Sequence, residues 1–83
     1  MEKKYKQNNM TDDQKAYCTS KIMGEVIEMG SASKLARSLG VQAGAVGNWI
    51  HGRTFPNMEN ALKIEKLSKG RVKRKELRPD IRW

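Results

Sequence analysis

Side chains that form hydrogen bonds without carrying charge are concentrated between residues 42 and 51 of the chain. Gln42 and Asn48 each hold a donor and an acceptor in one amide, and His51 adds an imidazole ring. Gly44 and Gly47 stand between them and present no side chain at all. The chemistry that this set supports is hydrogen bonding to base edges, as when an amide pairs with adenine in a major groove.

Residue types that support catalysis or metal binding are scarce. The chain of 83 residues holds one His and one Cys, and no Cys/His group has metal-ligand spacing. No acid and base are paired in a recognisable way, and so small a domain leaves little room for a pocket. The sequence therefore predicts no enzyme, no metal and no cofactor, and Cys18 is interpreted as a small buried apolar residue.

Positive charge dominates the chain and is strongest at its ends. The 17 Lys and Arg residues against 9 Asp and Glu give a net charge of +8. Three lysines stand at the start, and seven basic residues crowd the end: Lys69, Arg71, Lys73, Arg74, Lys75, Arg78 and Arg82. A basic domain favours polyanions, although charged termini are as often only solvated tails. No apolar run is long enough to span a membrane, and the N-terminus lacks the apolar stretch of a signal peptide.

The elements that must position residues 42 to 51 are all predicted to be helices. A first helix begins near Thr11 and ends at Gly30. Its buried stripe is expected to include Cys18, Ile22 and Val26, with Met23 and Ile27 alongside.

Caps and glycines mark the helices that follow. Ser31 caps a second helix that Gly40 ends, and a third opens at Gln42 and Ala43. Asn57 caps a fourth, with Met58, Ala61, Leu62, Ile64 and Leu67 as its apolar side and Gly70 as its stop. Val72 and Leu77 dock a short extra turn. We expect one all-α domain over 11–78, a compact bundle of four to five helices, with a flexible basic arm at 1–10 and a tail at 79–83.

Residues 32 to 51 have the pattern of a helix-turn-helix. Ala36 must be small because the following helix passes over it, Gly40 supplies the turn, and Val46 fills the angle between the two helices. Seven positions agree with this arrangement: Leu35, Ala36, Leu39, Gly40, Val41, Val46 and Trp49.

Two segments of the chain resemble known regulators. The stretch SKLARSLGVQAGAVGNWIHG is similar to the Cro/CI class of phage and prophage repressors. The run ALKIEKLSKGRVKRKELRPDIRW resembles the end of Cro-like prophage regulators classified with the YdaS-type antitoxins. The resemblance covers roughly residues 20 to 81. It implies a lambda-repressor-like fold and operator binding as a homodimer. With no membrane span or signal peptide in the sequence, we expect the protein in the cytoplasm of a bacterial host cell or associated with its nucleoid.

The residues that would face DNA follow from the orientation of the third helix. If Val46, Trp49 and Ile50 point inward, the glycines at 44 and 47 point outward together with Asn48 and His51. Asn48 is the expected adenine reader and Arg53 the expected phosphate contact. The candidate DNA-contacting residues are Gln42, Ala43, Gly44, Gly47, Asn48, His51, Arg53, Ser31, Lys34 and Arg37.

Few of these side chains can read bases directly. We therefore expect DNA shape and the basic termini to contribute to binding. Two other functions stay open at this point: an antitoxin or adaptor whose main partner is a protein, and nonspecific binding of RNA or a membrane surface by the basic termini. Leu77 and Trp83 are candidate dimer contacts.

Overall fold

Five α-helices are the regular elements of residues 8–83, the part of the chain that the computed structural model describes. In chain order they are α1 (Asp12–Met29), α2 (Ala32–Leu39), α3 (Ala43–Ile50), α4 (Met58–Leu67) and α5 (Arg74–Leu77). No strand occurs in this part of the chain. The predicted all-α fold of four to five helices is therefore confirmed. Within the same range, every helix is too short or too polar to cross a membrane.

Local capping chemistry explains where the helices begin and end. At the start of α1 the Thr11 hydroxyl accepts from the Gln14 amide at 3.2 Å, and the Gln14 side chain accepts from the Thr11 N–H at 2.9 Å. Ser31 caps α2 in the same manner, at 3.1 Å from the Lys34 amide. Gly40 ends α2 with a φ of 75°, a left-handed backbone that glycine adopts without strain.

The core lies where α1 packs against α2, α3 and α5. Fully buried side chains come from every helix. They include Cys18, Ile22, Leu35, Leu39, Val46, Ile64 and Leu77. Burial of apolar area on this scale is the main stabilising contribution in a domain without disulfides.

The pair α2 and α3 is joined by a tight turn, as a helix-turn-helix requires. Ala36 is 2% exposed, and its carbonyl accepts from the Val41 N–H at 3.0 Å across the turn. Val46 is completely buried between the helices. These contacts fix the angle at which α3 leaves the turn, and so fix which side of α3 faces solvent.

The prediction of which side chains of α1 are buried was wrong for two residues. Met23 and Ile27 are 43% and 75% exposed, because the packed face centres on Cys18, Ile22 and Glu25 instead. Each residue turns a helix by 100°, so positions next to the buried stripe can already face water. Met58, expected on the apolar side of α4, is also exposed, at 48%.

The C-terminal segment is held by a buried arginine. Arg78 donates to the Pro56 carbonyl at 2.8 Å and forms two bonds to the Asp80 carboxylate, at 2.9 and 2.8 Å. The Trp83 indole N–H donates to the Arg78 carbonyl at 3.0 Å. Leu77 is 0% exposed, so the expectation that it forms a dimer contact was wrong.

The N-terminal segment meets the same cluster. Asn9 donates its backbone N–H to Asp80 at 2.9 Å, and Met10 is 6% exposed. Residues 1–7 of the expected arm lie outside the described part of the chain. The boundaries of arm, domain and tail stay predictions.

Candidate nucleic-acid interface

The side of α3 opposite the core is open to solvent. Gln42, Ala43 and Gly44 are exposed in its first turn, and His51 is exposed just past its end. Gly47 and Asn48, half-buried, continue the surface between them. All six residues predicted on this face of α3 are therefore on its accessible side. We call this set, residues 42–44, 47, 48 and 51, the α3 outer face.

The two glycines of the α3 outer face have no role in packing the domain. A Cβ placed on Gly44 or on Gly47 would meet no atom within 4 Å. Neither residue is among the glycines with positive φ. Glycine is unfavourable in a helix interior by about 1 kcal/mol relative to alanine. The packing of the described domain therefore does not require glycine at either position.

Gln42, at the start of the α3 outer face, and Asn48, near its end, differ in whether their side chains already form hydrogen bonds. Gln42 is the N-cap residue of α3, but its side chain makes no capping bond, so the amide is available. The Asn48 side-chain oxygen accepts from the Arg53 guanidinium at 3.5 Å. The Asn48 carbonyl also accepts from the Arg53 N–H at 2.9 Å and the Thr54 N–H at 3.4 Å. The loop after α3 is thus folded back onto Asn48, with Arg53 beside it.

The candidate residues at the start of α2 and along it differ in whether the fold already uses their side chains. The Ser31 hydroxyl already accepts from the Lys34 amide, which is its capping role. Lys34 and Arg37 have exposed side chains, Lys34 in the first turn of α2 and Arg37 in its last. Neither makes an ion pair within residues 8–83. Their charges are therefore available to a phosphate, whereas Ser31 is committed to the fold.

Comparison with known proteins places this arrangement in a family. The family model described as "Bacterial toxin YdaS" matches residues 22–83, well over half of the chain. The chain belongs to the YdaS family. It is 42% identical, over 55 residues, to the Escherichia coli (strain K12) protein named "Putative transcriptional regulator YdaS". The match covers 66% of this chain and 56% of that relative, so the chain spans about half the relative's length. No solved structure matches the chain.

The YdaS family match includes α2, α3 and the loop to Arg53 but begins inside α1. Lys15, on the unmatched half of α1, lies beside the end of α3 and lines one groove with His51 and Gly52. It also lines a second groove, with Arg53 and residues 8–10. Sequence reasoning missed Lys15, because nothing in the local pattern of α1 distinguishes it from a solvated lysine. The structure adds it to the basic residues around the α3 outer face.

The positive charge at the C-terminal end is partly neutralised inside the domain. Arg71 pairs with the buried Glu25 at 3.3 Å, Arg74 pairs with Glu65 at 3.6 Å, and Arg78 pairs with Asp80 at 2.8 Å. The hydrogen bonds from Arg78 lower the pKa of the Asp80 carboxyl from 3.8 to about 2. Three of the seven terminal basic residues thus pair with carboxylates of the domain itself, and of these three only Arg78 is buried.

Groups with nucleophilic or metal-binding potential do not gather near the α3 outer face. Burial raises the pKa of the Cys18 thiol to about 12, so the reactive thiolate does not form at neutral pH. Among residues 8–83, no three His, Cys, Asp or Glu side chains lie close enough together to hold a metal ion. The groups at this surface can therefore form hydrogen bonds and ionic interactions with a partner.

Proposed function

We propose that this YdaS family member is a sequence-specific regulator of transcription that binds double-stranded DNA through α3. The observation that carries the proposal is the pair of glycines on the α3 outer face, which the packing of the domain does not require. Side chains that are missing from an exposed helix face allow its backbone to approach a partner closely. The major groove of B-DNA is wide enough to admit such a helix.

In this arrangement Asn48 is the main reader of sequence. Its amide oxygen accepts from the N6 amino group of adenine while its amide nitrogen donates to N7. Ala43 contacts a thymine methyl group, and Gln42 and His51 provide further polar contacts at the two ends of α3. Because Gly44 and Gly47 read nothing directly, few base pairs are recognised by contact. The remaining specificity comes from the shape and deformability of the DNA.

Basic residues around α3 hold the DNA backbone. Arg53 and Lys15 stand at the end of α3, and Lys34 and Arg37 stand on α2. Residues 8–10 line a groove together with Arg53 and Lys15, so the described start of the chain borders this surface. These groups bind phosphate and release counterions, which makes the affinity fall with salt.

The regulator acts as a Cro-like repressor in this proposal. A homodimer occupies a palindromic operator, whose half-sites lie about 34 Å apart on one face of the DNA, and blocks access to the promoter. The name of the Escherichia coli relative, a transcriptional regulator, supports the assignment to transcription. Repression follows from occupancy alone and needs no cofactor.

Selection from random double-stranded DNA tests the proposal. The full chain, incubated with a randomised duplex pool, should enrich a short palindromic sequence with an adenine at a fixed position in each half-site. An excess of single-stranded RNA or of anionic vesicles serves as the control and should not displace the enriched duplex. Equal retention of all duplexes, or displacement by RNA or vesicles, would contradict sequence-specific DNA binding.

The family's description as a toxin favours a second function, growth inhibition or its control through a protein partner. Expression of the chain in a bacterial host, as wild type and as Asn48→Ala, separates the two. If toxicity results from promoter binding, the Asn48 variant is harmless at equal protein level. If the toxic or antitoxin activity acts through a protein, the variant keeps its effect, and the product of a neighbouring gene co-purifies with both forms.

A further inference from the structure

The side of α1 that faces away from the core carries a largely apolar stripe that is exposed in residues 8–83. Three of its four members, Ala16, Ser20 and Met23, also form one wall of the groove whose other wall holds His51 and Gly52. Met23 and Ile27 are 43% and 75% exposed, and the exposed Ala16 and Ser20 continue the stripe toward the N-terminus. The four positions follow one another at intervals of four, three and four residues. This is the spacing at which one face of a helix packs along a second helix. We call these four residues the α1 stripe.

The α1 stripe is complementary to itself when two copies of the helix run antiparallel. Its small residues, Ala16 and Ser20, come first, and its large ones, Met23 and Ile27, come second. In an antiparallel pair centred between residues 21 and 22, Ile27 lies opposite Ala16 of the other copy, and Met23 lies opposite Ser20. A large side chain then meets a small one in every layer, on both sides of a two-fold axis.

A glycine beside the α1 stripe fits the same register. A Cβ on Gly24 would meet no atom within 4 Å, so the fold of one chain does not need glycine in the interior of α1. In the antiparallel pair, Gly24 lies on the same flank as Tyr17 of the second copy, a large side chain that is 47% exposed, and is displaced from it by two residues, or about 3 Å, along the helix axis. The missing side chain leaves space for this ring.

The charges at the two ends of α1 are also complementary. Asp12 and Asp13 are exposed in its first turn. At the other end, the Lys34 ammonium lies 3.4 Å from the place that a Cβ on Gly30 would take. In the register defined by the α1 stripe, Asp13 is level with Gly30 of the second copy. None of the three charged residues has an ion-pair partner within residues 8–83, so each is available to the other copy. In the dimer Lys34 would pair with Asp13 of the second copy, and Arg37, Arg53 and Lys15 would remain for phosphate.

The flanks of α1 place the two DNA-binding surfaces on one side of such a dimer. On one flank the Thr19 hydroxyl donates to the Trp49 carbonyl of α3 at 3.4 Å. On the other flank the Tyr17 hydroxyl donates to Glu76 of α5 at 3.0 Å. A two-fold axis perpendicular to an antiparallel helix pair keeps the same flank of both helices on the same side. Both copies of α3 therefore lie on the same side of the dimer, as binding to one face of DNA demands.

We propose that the α1 stripe is the interface with a second copy of this chain, packed antiparallel around a two-fold axis. The inference deepens the proposed function and rests on it only for the requirement of a homodimer. Its evidence is the pattern of size, charge and exposure along α1. The stripe adjoins the α3 outer face at His51 and shares no residue with it.

Sedimentation velocity of the full chain without DNA tests the interface. The wild type should form a reversible dimer between about 1 μM and 1 mM. Ile27→Asp should raise the dimer dissociation constant by on the order of 100-fold, since each dimer loses two buried anchors. Met58→Asp is the matched control, because it places the same charge at a residue of α4 that is 48% exposed, and it should leave the dimer intact.

Charge reversal tests the antiparallel register. Asp13→Lys and Lys34→Glu should each weaken the dimer, and the two together should restore it, because the opposite charges face each other again. Circular dichroism checks that each variant keeps its helices. If Ile27→Asp fails to fold, Ser20→Trp replaces it as the test variant. A bulky side chain at position 20 would occupy the space that Met23 of the second copy fills in the dimer.

Three results would overturn the interface: a monomer at every concentration, a dimer that Ile27→Asp leaves intact, or a double reversal that restores nothing. The DNA proposal is judged separately. Asn48→Ala should stay dimeric while it loses sequence preference. A wild-type dimer that selects no DNA sequence refutes the function but not the interface. Sequence-specific binding by a monomer refutes the interface and the palindromic homodimer, but not DNA binding through α3.

Discussion

At the scale of single residues, Asn48 joins the α3 outer face to the loop that follows it. Its side-chain oxygen is 3.5 Å from the Arg53 guanidinium, a long contact that a better acceptor can replace. In the proposed DNA complex, a phosphate would be such an acceptor for Arg53, and the Asn48 amide would become free to pair with a base. Under this proposal Asn48 reads the sequence and Arg53 holds the DNA backbone.

Substitution of these two residues should separate the two roles. We expect Asn48→Ala to weaken binding to the selected operator by about 1 to 3 kcal/mol and to relax the preference at one base position. Arg53→Ala should weaken binding to all sequences alike and reduce the dependence of affinity on salt. Gel-shift titrations at several salt concentrations, with operator and scrambled duplexes, measure both effects. Unchanged operator affinity of the Asn48 variant would contradict its role as a reader.

At the scale of helices, the proposed DNA contact of α3 works against the stability of that helix. Gly44 and Gly47 weaken an eight-residue helix in the free protein. The space around both is open, so alanine would fit in the free protein without touching a neighbour. If alanine at these positions stabilises the helix but weakens DNA binding, the glycines serve the binding of DNA and not the fold.

We therefore expect Gly44→Ala and Gly47→Ala to have effects of opposite sign on stability and on binding. Each should raise the free energy of unfolding by about 1 kcal/mol, because alanine is the better helix former. Each should also reduce DNA affinity, because the added methyl group holds the backbone away from the groove. Thermal unfolding followed by circular dichroism measures the first effect, and duplex titration measures the second. Asn60→Ala, in α4, is the control: it also raises helix propensity, it lies outside both the α3 outer face and the α1 stripe, and it should leave DNA affinity unchanged. A tighter complex from the α3 variants would contradict close approach.

The helices also show what the sequence can and cannot specify. The caps Thr11, Ser31 and Asn57 were predictable because each bonds to a residue three positions away. The turn between α2 and α3 was predictable for the same reason, since its pattern is local. The phase of α1 was not, because apolar residues stand both at Ile22 and at Ile27 and only distant packing decides which side is buried.

Contacts between residues far apart in sequence account for most of what was missed. Glu25 is 5% exposed because Arg71, which follows it by 46 positions, neutralises its charge. Lys15 joins the surface around α3 only through the way α1 lies against the end of that helix. Of the candidate interface, the α3 outer face followed from helical periodicity, whereas its basic surroundings needed the fold.

At the scale of the whole molecule, Arg78 and Asp80 tie three distant segments together. Arg78 holds the carbonyl of Pro56, in the link between α3 and α4, while Asp80 holds the backbone of Asn9 ahead of α1. The side chains of both residues are less than a tenth exposed. A buried ion pair is costly to break by removal of one partner, because the other charge is left without compensation. The R-P-D sequence near the end of the chain is therefore a structural clasp, and its effect should be visible in the pH dependence of stability.

The pKa of Asp80 gives the direction of that dependence. Its carboxyl group has a pKa of about 2 in the folded chain, against 3.8 ordinarily, chiefly because Arg78 donates hydrogen bonds to it. A lowered pKa means that the folded state binds the proton less readily than the unfolded state does. The contribution is complete above pH 3.8 and is lost as the pH falls toward 2. The free energy of unfolding should therefore decline through this window.

Replacing Asp80 with Asn should remove this part of the pH dependence. The variant keeps the shape of the side chain but leaves the charge of Arg78 uncompensated, so its free energy of unfolding at neutral pH should fall by about 1 to 3 kcal/mol. The gap between variant and wild type should then narrow as the pH is lowered, because the wild type loses the same ion pair by protonation. Urea unfolding at a series of pH values measures the gap, with Glu59→Gln, at a carboxylate whose side chain is 74% exposed, as the control. A constant gap from neutral pH down to 2 would mean that Asp80 acts through its shape and not through its charge.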